Sequence, residues 1–415
     1  MSAQAIDVPR PRRRSLFGDF LELPHTFRHL VLAPTALLSV IGLIMVWSAS
    51  SVEGMNKWDD PYHFTFRQAV FFVIGLAFAA VLYLVFTKAK EQTVIVLGWI
   101  FFLATLALEA ATLIPGIGHS MNGNQNWIRI GVGDLGIQPA EFGKLALMWW
   151  GACIFAAKAK AAESKLLDKP FQLLFPFLLG GVLLTGIVVW QDDLGTGVVL
   201  LLITLLMLFN VGLPLRVLGL IAALGAIPVT YLIIQSPNRI GRIFGFLDTS
   251  ANTSGINYQH TAAQLAFARG GWFGVGLNAS RQKWLGLPEA HTDYILSVVG
   301  EELGLVCVLL IVALFGVLGF AGWQIAMRSD IPLYRYAAGG ITGWLMFAAL
   351  VNMAVVLGLF PVFGVPLPFL SSGGSALVSV LGGCGILLAC AYQLPAARAY
   401  REAQAKSPKV TLYEA

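Results

Sequence analysis

The stretch RQKWLGLPEAHTDYILSVVGEELG, residues 281–304, joins a polar segment to an apolar helix and concentrates two cations, a histidine and four carboxylates. Thr292 is predicted to be the N-cap of this helix, with Asp293 in its first turn. The positive end of the helix dipole favours an ionised aspartate there. Desolvating an ionisable group at a membrane boundary is costly, so such groups are functional candidates. We therefore expect the reactive group in this stretch.

The composition is that of a membrane protein. Of 415 residues, 57% are hydrophobic and only 12% are charged, whereas about a quarter are charged in an average soluble domain. Several apolar runs reach the length of about 20 residues that spans a bilayer as a helix. All four cysteines fall inside these runs, so we expect neither disulfides nor a cysteine metal site. The net charge of +5 gives no indication of nucleic acid binding.

The sequence predicts an all-α polytopic protein with about ten transmembrane helices. The predicted spans are 29–51, 68–86, 93–116, 141–159, 171–191, 193–212, 215–235, 293–326, 334–359 and 372–393. The eighth is overlong, which indicates a tilted or broken helix. An even number of spans places both termini on the same side of the membrane.

Lysine and arginine are concentrated in the segments on the side of the termini, which the positive-inside rule assigns to the cytoplasm. The predicted parts are a basic tail (1–28), a ten-helix domain (29–393) with a long outer loop (236–292), and a second tail (394–415). Long loops are translocated largely regardless of charge. The cations of the loop 236–292 therefore indicate either an anionic ligand at the outer face or contacts with lipid phosphates. These cations are Arg239, Arg242, Arg269, Arg281 and Lys283.

Three further segments carry polar residues at or near the predicted membrane. Glu141 and Lys144 are three residues apart and so share a helical face, as an internal pair that joins helices or binds substrate. QDDLGTG from Gln191 is either a metal site or a tight outer turn. LFPVFGVPLPFLSSGGS from Leu359 contains three prolines, and broken backbone at membrane depth is tolerated only inside protein or along a cavity. We expect that segment to line a polar cavity.

Five motifs together resemble the SEDS family (shape, elongation, division and sporulation). They are MVWSASS from Met45, NWI with QPAEFGKLAL, DLGTG from Asp193, LPEAHTDYILSVVGEELG from Leu287 and LGLFPVFGVPLPFLSSGGS from Leu357. The similarity runs from about Leu30 to Tyr392 and is closer to the cell-division members than to the elongation members. The chain departs from the usual family pattern at Ala262, Asn278 and Ser372.

The resemblance implies a peptidoglycan glycosyltransferase that polymerises lipid II at the outer face of the bacterial cytoplasmic membrane, at the division septum. It implies a class B penicillin-binding protein (a transpeptidase) and other divisome proteins as partners. The essential aspartate of the family corresponds to Asp293. The substrate-binding residues expected from the matching motifs are Trp127, Gln138, Glu141, Lys144, Gln259, Glu289, His291, Thr292, Ser371 and Gly373.

The chemistry of this reaction requires a base for the acceptor hydroxyl and stabilisation of the departing diphosphate. We expect Asp293 to take the proton of the GlcNAc 4-hydroxyl, with His291 as the alternative base. Arg242 and Lys283 would hold the diphosphate, with a divalent cation (Mg or Mn) as the one candidate cofactor. An α-linked donor and a β-linked product indicate direct inversion. Glu301 and Glu302, about two helical turns deeper, are expected to be structural or to line the cavity.

Two other function classes fit the same residues. A flippase that moves lipid II across the membrane would use the same cavity and carboxylates, although transporters are often built from internal repeats, and no repeat is visible in this sequence. A scaffold that only recruits the transpeptidase would need no catalytic residue. Polymer formation from lipid II in detergent distinguishes the enzyme from both.

Overall fold

The computed structural model describes residues 23–121, 124–129, 136–161, 174–237, 240–241, 258–284, 287, 289–362 and 364–406. These residues are mostly helical. Ten helices correspond one to one to the predicted spans: α1 (Thr26–Trp58), α2 (His63–Lys88), α3 (Glu91–Ala111), α4 (Pro139–Ala161), α5 (Phe177–Trp190), α6 (Leu194–Asn210), α7 (Leu215–Gln235), α9 (Ile295–Arg328), α10 (Pro332–Val356) and α11 (Gly374–Tyr392). Two more are α8 (Tyr258–Gly270) and α12 (Pro395–Lys406).

The helices confirm the prediction of a polytopic membrane protein. Seven of them are long and apolar enough to cross a membrane: α1, α2, α3, α7, α9, α10 and α11. The helices α5 and α6 are equally apolar but have only 14 and 17 residues. We call the end of the bundle that holds residues 23 and 406 the tail end and the opposite end, which holds Asp293, the site end.

A small antiparallel sheet at the site end was not predicted. Its strands are β1 (Gly118–Met121), β2 (Asn124–Arg129) and β3 (Gly136–Ile137), in that order. The strands are only two to six residues long, so too few alternating side chains exist to give a period-two pattern in the sequence.

Helix α11 is the centre of the bundle, and most of its side chains are buried. It packs against α1, α2, α4 and α10. The contact with α2 is close, because a Cβ at Gly385 would lie 2.4 Å from the backbone oxygen of Ala79. Small residues permit such close approach of helices in membranes, where packing drives association. This central helix begins directly after the proline-rich segment and so fixes the position of that segment.

The overlong eighth span is a broken helix, which is one of the two alternatives, tilted or broken, that the sequence indicated. Gly304 in α9 has φ 77° and ψ 179°, outside the helical region. The chain of residues 270–276 lies in the break and takes up the freed backbone groups. Val275 and Gly276 donate to the carbonyls of Glu301 and Glu302, while Leu305 and Val306 donate to the carbonyls of Gly271 and Trp272. Every one of these polar groups would otherwise be costly to bury.

Replacing Gly304 with alanine is expected to destabilise the protein. The positive φ disfavours any side chain, by about 1–3 kcal/mol, and the new Cβ would lie 2.4 Å from both the Gly274 nitrogen and the Trp272 oxygen. Gly316→Ala is the matched control in the same helix, because a Cβ there meets nothing within 4 Å. Thermal unfolding in detergent should show a lower Tm for Gly304→Ala and an unchanged or higher Tm for Gly316→Ala. Equal Tm values would contradict this account of the break.

Candidate active site

Asp293 lies in the turn that leads into α9, two residues before the helix begins at Ile295. The prediction that Thr292 is the N-cap is wrong. The N-cap is Tyr294, and the Thr292 hydroxyl donates instead to the carboxylate of Glu289. Glu289 has a φ of 57°, and its carbonyl accepts from the amides of both Thr292 and Tyr294. The turn thus forms around Glu289 and leaves the Asp293 side chain half-buried at the protein surface.

The proline-rich segment holds the backbone of this turn from one side. The Ser371 hydroxyl donates to the Thr292 carbonyl at 2.7 Å and accepts from the Leu367 amide at 2.7 Å. The Ser372 amide donates to the His291 carbonyl at 2.8 Å. A Cβ at Gly364 would lie 3.8 Å from Asp293 Oδ2, so this segment also runs beside the carboxylate.

Two buried amide side chains, neither of which was predicted from the sequence, also hold the turn and the proline-rich segment. Asn352 in α10 donates to the Asp293 carbonyl and to the Val365 carbonyl, each at 2.9 Å. Gln68 in α2 donates to the Ser371 carbonyl and accepts from the Gly373 amide, each at 3.2 Å. A single Asn or Gln in an apolar helix could have been singled out from the sequence, because a buried polar side chain needs hydrogen-bond partners. Together they tie both sides of the active-site turn to the helix bundle.

His291 is buried next to Asp293 and is held by α1 and α2. Its Nδ1 lies 3.1 Å from a carboxylate oxygen of Glu53, which also pairs with Lys57 at 2.5 Å. Its ring lies 5.1 Å from that of Phe64. These contacts fit a residue that orients the turn, and the choice between Asp293 and His291 as the base stays a prediction.

Two adjacent buried carboxylates, Glu301 and Glu302, hold the loop of residues 276–284. Glu301 accepts from the Arg269 guanidinium at 2.7 Å and from the Arg281 amide at 2.9 Å. Glu302 accepts from the Asn278 amide at 3.0 Å and forms an ion pair with Lys283 at 2.9 Å. Both glutamates have no exposed surface. Of the two roles expected for them, structural or lining the cavity, this arrangement agrees with the structural one.

Lys283 does not lie where the sequence placed it. Its side chain has no exposed surface, and its Nζ donates to Glu302, to the Asn278 side chain and to the carbonyl of Ser48. An ammonium group has three N–H donors, and all of them are occupied. The ammonium therefore has no free donor for a diphosphate. Lys283 instead belongs, with Arg269, Glu301 and Glu302, to the group of side chains that holds the loop of residues 276–284, which we call the loop anchor.

Glu141 and Lys144 form the predicted pair, with Nζ 2.6 Å from Oε1, and both are buried. Together with Ser371 they line a small cavity between α4, α10, α11 and residues 365–371. The broken segment therefore lines a cavity, but most of the lining is apolar, and its polar side chains are those of Glu141, Lys144 and Ser371. Asp293 is not part of this lining, whereas Ser371, which is, contacts the turn at the Thr292 carbonyl.

The sheet is fastened to the bundle through Asp193. This carboxylate accepts from Asn126 at 2.7 Å and from Gln138 at 3.1 Å, and its other oxygen caps α6 at the Thr196 amide. Trp127 in β2 is half-buried and pairs with His119. Of the two interpretations of QDDLGTG, the structure favours the turn. Within the described ranges no group of three or more His, Cys, Asp or Glu side chains could hold a metal ion.

Two predicted site residues remain to be placed. Gln259 lies in the first turn of α8 and is half-buried. Arg242 lies outside the described residues. The structure therefore brings together His291, Thr292, Asp293, Ser371 and Gly373. Glu141 and Lys144 lie next to this group, whereas Lys283 lies apart from it in the loop anchor.

Comparison with known proteins agrees with this architecture. The sequence pattern of the FtsW/RodA/SpoVE family, described as cell cycle proteins, matches residues 28–395. The chain belongs to this family. Among its relatives, a probable peptidoglycan glycosyltransferase FtsW of Trichlorobacter lovleyi is 38% identical over 361 residues, which are 86% of this chain and 91% of that protein. The stage V sporulation protein E of Bacillus subtilis is 36% identical, over 85% of this chain and 94% of the relative.

Solved structures of family members have the same fold. A chain of a peptidoglycan synthase complex that coordinates polymerization and crosslinking aligns with a TM-score of 0.68 and 27% identity, over 87% of this chain and 96% of that chain. The rod shape determining protein RodA of Thermus thermophilus aligns with a TM-score of 0.61 and 25% identity, over 88% and 97% of the two chains. The membrane domain is therefore a RodA-like polytopic fold.

Lys283→Met tests the role of the loop anchor. Removing one partner of a buried ion pair costs about 3–5 kcal/mol, so the Tm in detergent should fall strongly. The control is Lys160→Met, which breaks the exposed ion pair with Glu91 and should cost under about 1 kcal/mol. If Lys283→Met kept the wild-type Tm and lost only turnover, Lys283 would be a substrate contact instead.

Proposed function

We propose that this protein polymerises lipid II into glycan strands, with Asp293 as the general base. The observation that carries the proposal is the Asp293 turn. Its backbone is fixed by Ser371, Ser372 and Asn352, while Asp293 itself is half-buried and so is partly accessible. A base must be held in a fixed geometry and must also be reachable by the substrate. Membership of the FtsW/RodA/SpoVE family supports the same reaction.

In the proposed reaction Asp293 accepts the proton of the acceptor GlcNAc 4-hydroxyl as the oxygen attacks the anomeric carbon of the donor. The bond from that carbon to the lipid diphosphate breaks, and the diphosphate leaves with its electron pair. A diphosphate needs no proton to leave, so one carboxylate is sufficient. Direct displacement converts the α-linked donor into a β-linked product.

Charge on the leaving diphosphate needs cationic partners, and the assignment of Lys283 to this role has no support in its geometry. Arg242 stays the predicted contact. A divalent cation also stays a prediction; Glu301 and Asp193, two carboxylates at this end, are engaged with protein donors. Loss of activity with EDTA and its recovery with Mg or Mn would test the metal.

We place the site end at the outer face of the cytoplasmic membrane, in the division septum, with both termini in the cytoplasm. The described cations support this orientation, because the tail end holds eleven of them: Arg28, Lys88, Lys90, Lys158, Lys160, Arg216, Arg328, Arg335, Arg398, Arg401 and Lys406. Excess lysine and arginine mark the cytoplasmic side. A class B penicillin-binding protein is the proposed partner, with other divisome proteins around the pair.

The enzymatic proposal is tested by Asp293→Asn in the purified protein with its transpeptidase partner, given labelled lipid II in detergent. The substitution keeps the shape of the side chain and removes its basicity, so polymer formation should fall by about 10²–10⁴-fold. Asp330→Asn, in an exposed ion pair with Arg398 at the tail end, should keep wild-type activity.

Three outcomes are distinguishable in this assay. Polymer from the wild type and from Asp330→Asn but not from Asp293→Asn supports the proposal. Polymer from Asp293→Asn at the wild-type rate removes Asp293 from the mechanism. A wild-type protein that makes no polymer in detergent, yet moves lipid II between the leaflets of vesicles, would be a transporter.

The orientation is tested by cysteine labelling in a background without the four native cysteines. Ser254→Cys, in the loop 236–292, should react with a membrane-impermeant thiol reagent on intact spheroplasts. Ala403→Cys, exposed on α12 at the tail end, is the control and should react only after lysis. The reverse pattern would overturn the assignment of the two faces.

A further inference from the structure

A groove at the tail end lies far from the candidate active site. It has a volume of about 550 Å³ and is bounded by α1, α2 and α11. Its size is typical of small-molecule sites in proteins. The lining residues are His25, Arg28, His29, Leu32, Leu76, Ala79, Ala80, Tyr83, Gly385 and Leu388. The motifs and the proposed reaction use none of them.

The groove has two chemically distinct parts. Its polar part consists of His25, Arg28 and His29 in and just before the first turn of α1, with Arg28 as the cation. Its apolar part runs along α2 and α11 toward the lipid-facing surface, where Leu32 and Leu76 each expose about half of their area, 52% and 47%. A ligand that fits both parts has an anionic head and a hydrocarbon tail.

Among the residues that the structure describes, none neutralises the charge of Arg28 at this groove. Arg28 lies 5.7 Å from the ring centre of Tyr392, which Arg401 covers from 3.5 Å. In the part of the chain that the structure describes, no carboxylate pairs with Arg28. The tail-end carboxylates of Glu91 and Asp330 are bound to Lys160 and Arg398.

A second polar group points to a ligand as well. The Nδ1 atom of His25 is buried and has no hydrogen-bond partner among the described residues. Buried polar atoms in native structures normally have a partner. A headgroup with a phosphate and a hydroxyl would provide acceptors for Arg28 and a partner for His25.

We propose that this groove binds one anionic phospholipid of the cytoplasmic leaflet. The phosphate accepts hydrogen bonds from the Arg28 guanidinium, the headgroup hydroxyl contacts His25, and one acyl chain lies along Ala79, Ala80 and Leu388. Guanidinium groups suit phosphate because they offer several N–H donors in a fixed fork. The cytoplasmic leaflet is the source because the groove opens at the tail end, so this assignment uses the proposed orientation. It does not use the proposed reaction.

The groove accounts for a feature of the α2–α11 contact. Gly385 lies against the backbone of Ala79, and both residues line the groove. Close backbone approach at this point leaves no side chain to fill the space between α1 and the pair. If the groove were empty, the apolar side chains that line it would lose van der Waals contacts. A bound acyl chain restores these contacts.

Native mass spectrometry of the purified protein in detergent tests the proposal, with equal amounts of phosphatidylglycerol and phosphatidylcholine added. The wild type should retain one phosphatidylglycerol in clear excess over phosphatidylcholine. Arg28→Gln should lower retention of phosphatidylglycerol about tenfold, the scale of one charge-assisted hydrogen bond. Lys88→Gln is the matched control, an exposed cation at the same end of α2 and outside the groove, and should retain the lipid as the wild type does.

The apolar part of the groove has its own pair of variants. Ala80→Phe fills the groove and should abolish retention, whereas Ala77→Phe, exposed on the same helix and outside the lining, should not. Thermal unfolding without added lipid verifies that all four variants are folded.

Equal retention of the two lipids, or equal losses in Arg28→Gln and Lys88→Gln, would overturn the proposal in favour of unspecific lipid contact. Retention that appears only in a variant lacking residues 1–22 would overturn it in favour of the chain's own tail as the occupant. These outcomes do not depend on polymerisation, so failure of the lipid site and failure of the proposed reaction are separable.

Discussion

The arrangement at the site end depends on the burial of Glu301 and Glu302, two neighbouring carboxylates without exposed surface. A buried charge is stable only when it is paired and hydrogen-bonded. Their partners are the side chains of Lys283, of Arg269 in α8 and of Ser48 in α1, together with the backbone amides of Asn278, Ser280 and Arg281. The break at Gly304 brings residues 270–276 into the same place. The need to neutralise two carboxylates thus fixes the loop that precedes the active-site turn.

Asp293 is consequently supported from two directions. The loop anchor fixes the chain up to Lys283, and the proline-rich segment with Asn352 fixes the turn from His291 to Asp293. Rigid support of the backbone holds the Asp293 side chain at a defined position. Such pre-organisation is what positions a base against its substrate.

The features that were predicted correctly are those that depend on residues close together in the sequence. Apolar runs predicted the helices of the ten spans, and the spacing of Glu141 and Lys144 predicted their ion pair. The contacts of Gln68 with Ser371 and of Lys283 with Ser48 join residues more than 200 positions apart, and no local pattern encodes them. Lys283 was expected to contact the ligand, but it is part of the loop anchor because its partners include Ser48, which is distant in the sequence. Thr292 failed as an N-cap because Glu289 competes for its hydroxyl.

The most direct test of Asp293 as the base is the structure of Asp293→Asn with lipid II bound in the acceptor position. Geometry comes before pKa in assigning a general base. The account predicts the GlcNAc 4-hydroxyl about 2.6–3.2 Å from the side chain at position 293, with the diphosphate at the outer face. An acceptor hydroxyl that contacts His291 or Glu53 and lies beyond hydrogen-bond reach of position 293 would contradict it.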